Sequence, residues 1–392
     1  MTRVLKSLTR RSVPVVRQLL IRQRVRTISG ICGVAIGCLL MFVQLGFRDG
    51  LYNQSVRVHE SLKCDLVVLN HDSTALTAMR PFPKERMASI YGNQDVEDVA
   101  LLRLRSVRWR NQVNGRSRNV LAIGVDPESP PLTLETTTDS LQSIKGLFNV
   151  LFDSEARWEF GPIGERIRKG LPVSSEVSGY RLNVSGLIKI GPSFGYDGYI
   201  IASRPTVESL LNDSSQGDAE LGCVNLVPAA KPGVVLQRLA KTTPNDVRLF
   251  TKQQYIDFEK DYWKSSSSIG FVFNFGALIG LLVGGVMVYQ VLYTDVSDHL
   301  AEYATLRSMG YSMNYLCGIV IKQGIMLCFV GYIPSVFLGA GAYELMRRGT
   351  NIAVTLSPPI LISVFVLISI SSTVSALLVT SRLWSADPAE LF

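Results

Sequence analysis

No lysine follows a glycine anywhere in this 392-residue chain. A P-loop needs that pair, because backbone amides cradle the phosphates and the lysine reaches them, so self-contained nucleotide hydrolysis of that kind is excluded. Histidine is almost as scarce. His59, His71 and His299 are dispersed, there is no HExxH, and no cysteine pair has ligand spacing with a histidine. Six cysteines in a chain of this length cannot form a disulfide scaffold. Charged residues make up only 18%, against about 25% in soluble domains. By contrast 47% of residues are hydrophobic and the mean hydropathy is +0.22, which excludes a mainly disordered chain.

A net charge of +8 raises the question of nucleic acid or an anionic surface until the excess is located. Residues 1–27 hold Arg3, Lys6, Arg10, Arg11, Arg17, Arg22, Arg24 and Arg26 and no acid, and that stretch alone supplies eight positive charges. From Arg48 to Ser268 there are 27 cations and 26 carboxylates, so the remainder is close to neutral. No nucleic-acid partner is implied.

Directly after the basic stretch, residues 28–47 carry no charge, and twenty helical residues at about 1.5 Å each cross the roughly 30 Å of a bilayer core. Three more such runs follow, at 269–293, 316–345 with only Lys322 and the terminal Glu344 charged, and 360–381. The first exceeds the apolar region of a signal peptide and lacks a small-residue cleavage site, so it is expected to be a retained anchor. The cations before it place the N-terminus in the cytoplasm, and four spans return the C-terminus there; Arg347 and Arg348 in the short outer loop oppose this but are outnumbered. Lys322 is close enough to the cytoplasmic end for its stem to snorkel to the headgroups.

The expected plan is a cytoplasmic lead at 1–27 with an interfacial helix beginning near Pro14, then a first span at 28–47 and a mixed α+β outer domain at 48–268. The other three spans follow, with a cytoplasmic loop at 294–315, a short outer loop at 346–359 and a tail at 382–392. Strand-like runs in the outer domain are Asp65 to Leu69, Leu102 to Trp109, Asn119 to Val125, Leu182 to Ile190, Tyr199 to Ser203 and Cys223 to Val227, with a short helix over Thr206 to Leu211. Gly191-Pro-Ser193-Phe-Gly195 satisfies the GxSxG pattern of a hydrolase nucleophile elbow, but strand-like residues follow it and the one later histidine, His299, lies across the membrane. A glycine-rich hairpin turn is the expectation. Cys64 and Cys223 both fall in the outer domain, where a periplasm allows them to pair, two buried free thiols being the alternative.

Glycines in the spans form stripes: Gly276, Gly280 and Gly284 on the second, Gly33 and Gly37 on the first. Small residues four apart let helix backbones approach closely, within one chain or across a dimer. Four spans make a thin pore alone, which favours a dimer. The loop between the second and third spans carries an amphipathic helix: Ser297 can cap it, Leu300, Tyr303 and Leu306 share a face, and Gly310 can stop it.

That stretch, from Val288 through Asp295-Val-Ser-Asp298-His-Leu-Ala-Glu302 to Gly310-Tyr311, resembles the characteristic loop of FtsX-type ABC transporter permeases, most closely the DevC family of cyanobacteria. Gln44-Leu-Gly-Phe-Arg-Asp49, Asp257-Phe-Glu-Lys-Asp-Tyr-Trp263 and the closing Ala386 to Phe392 are similar to the same family. The resemblance implies the following fold: four transmembrane α-helices of FtsX-like, MacB-like, type VII ABC permease form, with a large mixed α+β periplasmic domain between helices 1 and 2. It further implies an inner-membrane homodimer surrounded by membrane lipid. Its ATPase-contacting helix maps onto Asp298, His299, Leu300, Glu302, Tyr303, Leu306, Arg307 and Met309. A separate DevA-like ATPase would bind ATP and Mg, leaving this chain without cofactor or catalysis. A DevB-like periplasmic membrane-fusion adaptor and a TolC-like outer-membrane channel would complete a glycolipid exporter. A permease that transports nothing and regulates a periplasmic enzyme, as cell-division FtsX proteins do, is the alternative.

Overall fold

The computed structural model describes residues 24–210, 218–266, 268–350, 352 and 354–385. The helix expected near Pro14 and the closing 386–392 stretch lie outside the described residues. The chain divides into two compact units, Met1–Gly50 with Ser268–Phe392, and Leu51–Ser267.

The first unit holds four helices long and apolar enough to cross a bilayer: Thr27–Ser55, Ile269–Asp298, Met313–Thr350 and Pro358–Ser381. Three of them run further than their uncharged cores. The first passes Phe47 and the third reaches Thr350, because charge ends the lipid-compatible stretch without ending the helix. Arg48 pairs with Asp49 at 2.8 Å and donates to Asn274 Oδ1 at 2.7 Å. Arg347 and Arg348 both pair with Glu344 on their own helix. The outer loop expected at 346–359 accordingly shrinks to the residues between Thr350 and Pro358.

The glycine stripes are used inside the chain. A Cβ on Gly37 would lie 2.8 Å from Gly280 O and 2.8 Å from Gly284 Cα, so the first and second spans touch backbone to backbone. Gly33 takes the Met287 side chain and Gly276 takes Gln44. Hydroxyls then tie helices to carbonyls. Tyr343 Oη donates to Phe42 O at 2.6 Å, Tyr332 Oη to Leu361 O at 2.9 Å, and Ser375 Oγ to Gly285 O at 2.8 Å.

The second unit is built on one nine-stranded mixed sheet in the order β5-β6-β4-β7-β3-β2-β8-β1-β9. Its strands are β1 Leu66–Asn70, β2 Val96–Arg110, β3 Ser117–Val125, β4 Asn149–Asp153, β5 Ser174–Val177, β6 Tyr180–Ile188, β7 Tyr199–Ser203, β8 Leu221–Leu226 and β9 Val247–Thr251. Only β3 with β7 and β4 with β6 run parallel. The 15-residue β2 joins the halves, pairing β8 along its first part and β3 along its second. Period two sorts the cores. Val67 and Leu69 of β1 enter one cluster with Leu121, Ile123 and Tyr199, while Leu66 and Val68 enter another with Phe82, Met87 and Val235. β7 is buried on both faces, Ile200 and Ala202 packing with Trp109 and Phe152.

Strands β4, β5 and β9 are additions to the sequence-based set, and the short helix is Arg204–Ser209. The Gly191 to Gly195 stretch is not a hairpin turn. Its flanking strands β6 and β7 are separated by β4, so it is a crossover, which the local glycine pattern could not reveal. Cys64 and Cys223 form a disulfide, with Cα atoms 5.4 Å apart across 159 residues of chain.

Replacing Gly37 by leucine places a side chain into the second span's backbone. Gly37→Leu is expected to cost about 1–3 kcal/mol and to lower the thermal midpoint of the detergent-solubilised chain. Gly341, where a Cβ meets nothing within 4 Å, is the control. Equal midpoints for Gly37→Leu and Gly341→Leu would remove the close approach as a stabilising contact.

Candidate functional site

The second-span helix ends at Asp298, and after His299 the helix Leu300–Ser308 begins at once. Ser297 does not cap it: its hydroxyl donates back to Tyr293 O at 2.7 Å, and the position before the new helix is His299, with no side-chain cap. Spacing alone could not foresee this, because the preceding span simply continues to Asp298. Asp298 and His299 therefore belong to the junction and Met309 to the C-cap, while Leu300, Glu302, Tyr303, Leu306 and Arg307 lie on the helix. Gly310 ends it in the left-handed region at φ +89°, with Tyr311 N–H bonded to Leu306 O and Gly310 N–H to Arg307 O. Those two bonds are a Schellman close, which only glycine adopts without strain.

Tyr303 and Ala304 are buried, Leu300 and Leu306 half-buried, and Glu302, Arg307 and Met309 exposed, Met309 by 69%. The helix thus turns one face inward and presents a mixed charged and apolar face outward. What holds it is a buried polar node that sequence reasoning missed. Asp295, 5% exposed, accepts from Gln323 Nε2 of the third span at 2.8 Å. His299 N–H bonds to the Asp295 carbonyl, and Nδ1 lies 2.9 Å from the same oxygen, donating as the N–H tautomer. Burial, with the carboxylates of Asp295 and Glu302 beside it, pushes the Tyr303 phenol up. A carboxylate so placed must be hydrogen-bonded, and these bonds make second span, loop helix and third span one piece. The only advance signal was Gln323 following Lys322 within an apolar run.

In the sheet domain, Ser193 is 3% exposed and engaged with Tyr196, whose N–H it accepts at 3.1 Å. It faces no histidine base in any hydrogen bond, and the following strand replaces the helix an elbow requires. Beneath the crossover, Asp153 accepts from Ile190 N at 3.1 Å, Gly191 N at 2.9 Å and Glu155 N at 3.1 Å. Burial pushes its carboxyl up to about 6 despite those donors, and Glu155 adds to the rise. Glu259, 1% exposed, sits on the helix Lys252–Ser266. It accepts from Leu76 N and Trp263 Nε1, both at 2.8 Å, and lies 3.4 Å from His59 Nε2. His59 stands on Arg57–Ser61, just after the first span in the chain, and Glu259 just before the second. Their contact clasps the two ends of the domain together. Among the described residues no group of His, Cys, Asp and Glu is arranged to hold a metal ion.

Four apolar helices with a mixed-sheet domain inserted after the first, and a capped helix joining the second to the third, define a multi-pass permease. Residues 274–388 match the FtsX-like permease C-terminal family, and the fold is that of an FtsX/MacB-like permease. The macrolide export ATP-binding/permease protein MacB of Acinetobacter baylyi is 23% identical over 127 residues, 32% of this chain. The chain spans 19% of that relative's length. Among solved structures, the periplasmic region of MacB from Actinobacillus actinomycetemcomitans is 11% identical, with a TM-score of 0.34, covering 55% of this chain and 99% of that one. The extracellular domain of the noncanonic ABC-type transporter YknZ from Gram-positive bacteria is 15% identical, with a TM-score of 0.31, covering 48% of this chain and 99% of that one.

Because Asp153 titrates near 6 in the folded chain and near 3.8 when unfolded, its ionised form opposes folding above pH 6. That opposition, at most about 3 kcal/mol, is relieved as pH falls from 6 towards 4, where the folded chain holds a proton that the unfolded chain releases. Asp153→Asn is expected to flatten this part of the stability profile in thermal denaturation series. Parallel profiles for variant and parent would contradict it.

Proposed function

We propose that the chain is the permease subunit of a tripartite ABC exporter, working as a homodimer with a separate ATPase. In this reading the loop helix faces the cytoplasm and receives the ATPase, with ATP and Mg bound there. The sheet domain stands in the periplasm, where a DevB-like adaptor and a TolC-like channel carry a lipid-like cargo, of glycolipid type, outward.

The observation that carries this is the Asp295–Gln323 bond at 2.8 Å, which locks the helix Leu300–Ser308 to two spans within the FtsX-matching segment. A push on the outward face of a short helix is useful only if the helix cannot yield at its base. The second span is rigid by the same logic, running unbroken from Ile269 to Asp298. From there the movement reaches the helix Lys252–Ser266 along the chain, and Glu259 holds that helix to Leu76 and stands against His59. The absence of a Gly-Lys pair is consistent with hydrolysis in a partner chain. The MacB relative is named for macrolide export and carries ATP-binding and permease functions in one protein; here the cargo reading rests on the DevC-like motifs instead.

Replacing Leu300 and Leu306 together by aspartate puts two carboxylates on the helix's inward side. The double variant is expected to lose the ATPase subunit on co-purification and to abolish export. Comparison of outer-membrane and periplasmic lipids between a deletion strain and its parent supplies the cargo readout. Intact assembly and export in the variant would refute the coupling role. An unchanged lipid profile with a misregulated periplasmic hydrolase would replace export with mechanical regulation.

In a second test, Asp295→Ala leaves Gln323 without its acceptor at a cost of about 1–3 kcal/mol. It is expected to keep the ATPase bound while lowering transport per ATP hydrolysed, measured in proteoliposomes. Unchanged coupling would show the node to be structural only.

A further inference from the structure

We propose that one end of the sheet domain is a docking surface for an acidic segment of a protein partner, and, resting on the exporter reading above, that this partner is the periplasmic adaptor. The surface comprises the β2–β3 turn, residues 110–116, with Trp158, the helix Ile163–Arg168 and the Lys169 to Leu171 turn beside it.

Charge along the domain is balanced in sequence and segregated in space. Residues 108–118 and 157–181 contain nine cations and three carboxylates, whereas residues 48–268 as a whole contain 27 and 26. The rest of the domain is therefore acidic. The fold places the two basic segments against each other. Asn111 Nδ2 donates to Glu159 O at 2.7 Å, Arg110 N–H to Ser175 Oγ at 3.1 Å, and Gln112 bonds to Ser174 O. Intramolecular acids use up little of the excess: Glu159 takes Arg118 at 2.8 Å, and Asp197 takes Arg157 at 2.8 Å. Arg110, Arg116, Arg168 and Lys169 form no ion pair among the described residues.

Set among these cations are apolar side chains that the domain leaves in solvent: Trp158 at 78%, Val113 at 72% and Leu171 at 48% exposure. The domain has ample core to bury a tryptophan, as it does Trp109 at 1%. An exposed indole ringed by arginines is the composition of an interface anchor with its charged rim. Eight of the nine cations are arginine, whose planar fork fits a carboxylate bidentately. An anionic bilayer would attract the same charge. It is read chiefly by flexible lysine-rich segments, however, whereas here the hairpin turn and helix are pinned by the bonds above, and Arg166 is held by Pro172 O at 3.4 Å. A preorganised aromatic and arginine face favours a protein.

The test uses the full chain in phosphatidylcholine nanodiscs, with the purified adaptor encoded beside it as probe. Arg116→Glu/Arg168→Glu/Lys169→Glu is expected to weaken adaptor binding about tenfold or more at low salt and to flatten its salt dependence, with the ATPase subunit still retained. Trp158→Ala, which removes a side chain too exposed to matter for folding, is expected to weaken binding without changing the salt slope. If the parent binds adaptor and both variants bind it equally, the surface is wrong and the exporter reading stands. If the parent binds no adaptor, the exporter reading fails and the surface with it. If the variants lose only binding to phosphatidylglycerol vesicles, the surface reads lipid and the proposal is overturned.

Discussion

Lipid gives one apolar helix no hydrophobic reason to prefer another helix to hydrocarbon, so the membrane unit depends on how closely two backbones can approach. Gly37 against Gly280 and Gly284 supplies that approach, and the spans meet there with no side chain between them. Once the first two helices are this close, small donors can reach backbone carbonyls of neighbours, as Tyr343 does to Phe42 and Ser375 to Gly285. Large side chains such as Phe271 and Phe337 are left on the outside, 73% and 74% exposed, where lipid suits them. The stripe thus serves the single chain, and a dimer must use other surfaces.

The sheet domain is organised by the opposite solvent. Water drives alternate residues of each strand into cores on the two sides of the sheet, and the long β2 carries the sheet through both halves. Buried carboxylates then act as joints in both units. Asp295 binds Gln323, Glu259 binds Leu76 and Trp263, Asp153 holds the Ile190–Gly191 crossover, and Glu220 accepts from Leu104 N–H and pairs with Arg103 at 3.1 Å. Burial raises the Glu220 carboxyl, and the Leu104 amide and Arg103 pull it back. Such groups destabilise unless paired, so each fixes the geometry of the elements it joins.

Much of this was legible beforehand. The four spans follow from length and hydropathy, and the loop helix with its Gly310 close follows from an apolar repeat and a single glycine. Strands β1, β3 and β7 announced themselves as short apolar runs. β5, Ser174–Val177, did not, since two serines and a glutamate give it no pattern; it exists because β6 offers an edge to pair with. β9 was hidden similarly, and its place beside β1 is a tertiary fact. The Gly191 to Gly195 stretch reads locally as a turn, but what it turns between is set by β4 entering from elsewhere.

The sequence by itself determined the membrane class, the order of spans and domain, the lack of a P-loop and the helix between the second and third spans. These are properties of contiguous residues, and hydropathy, charge and capping act locally. Only the tertiary structure decided that Asp295 meets Gln323, that Glu259 stands against His59 two hundred residues away, that Cys64 joins Cys223, and that a nearly neutral domain gathers its arginines around Trp158. Each of these brings together residues far apart in the chain, and no local rule encodes a distance across a fold.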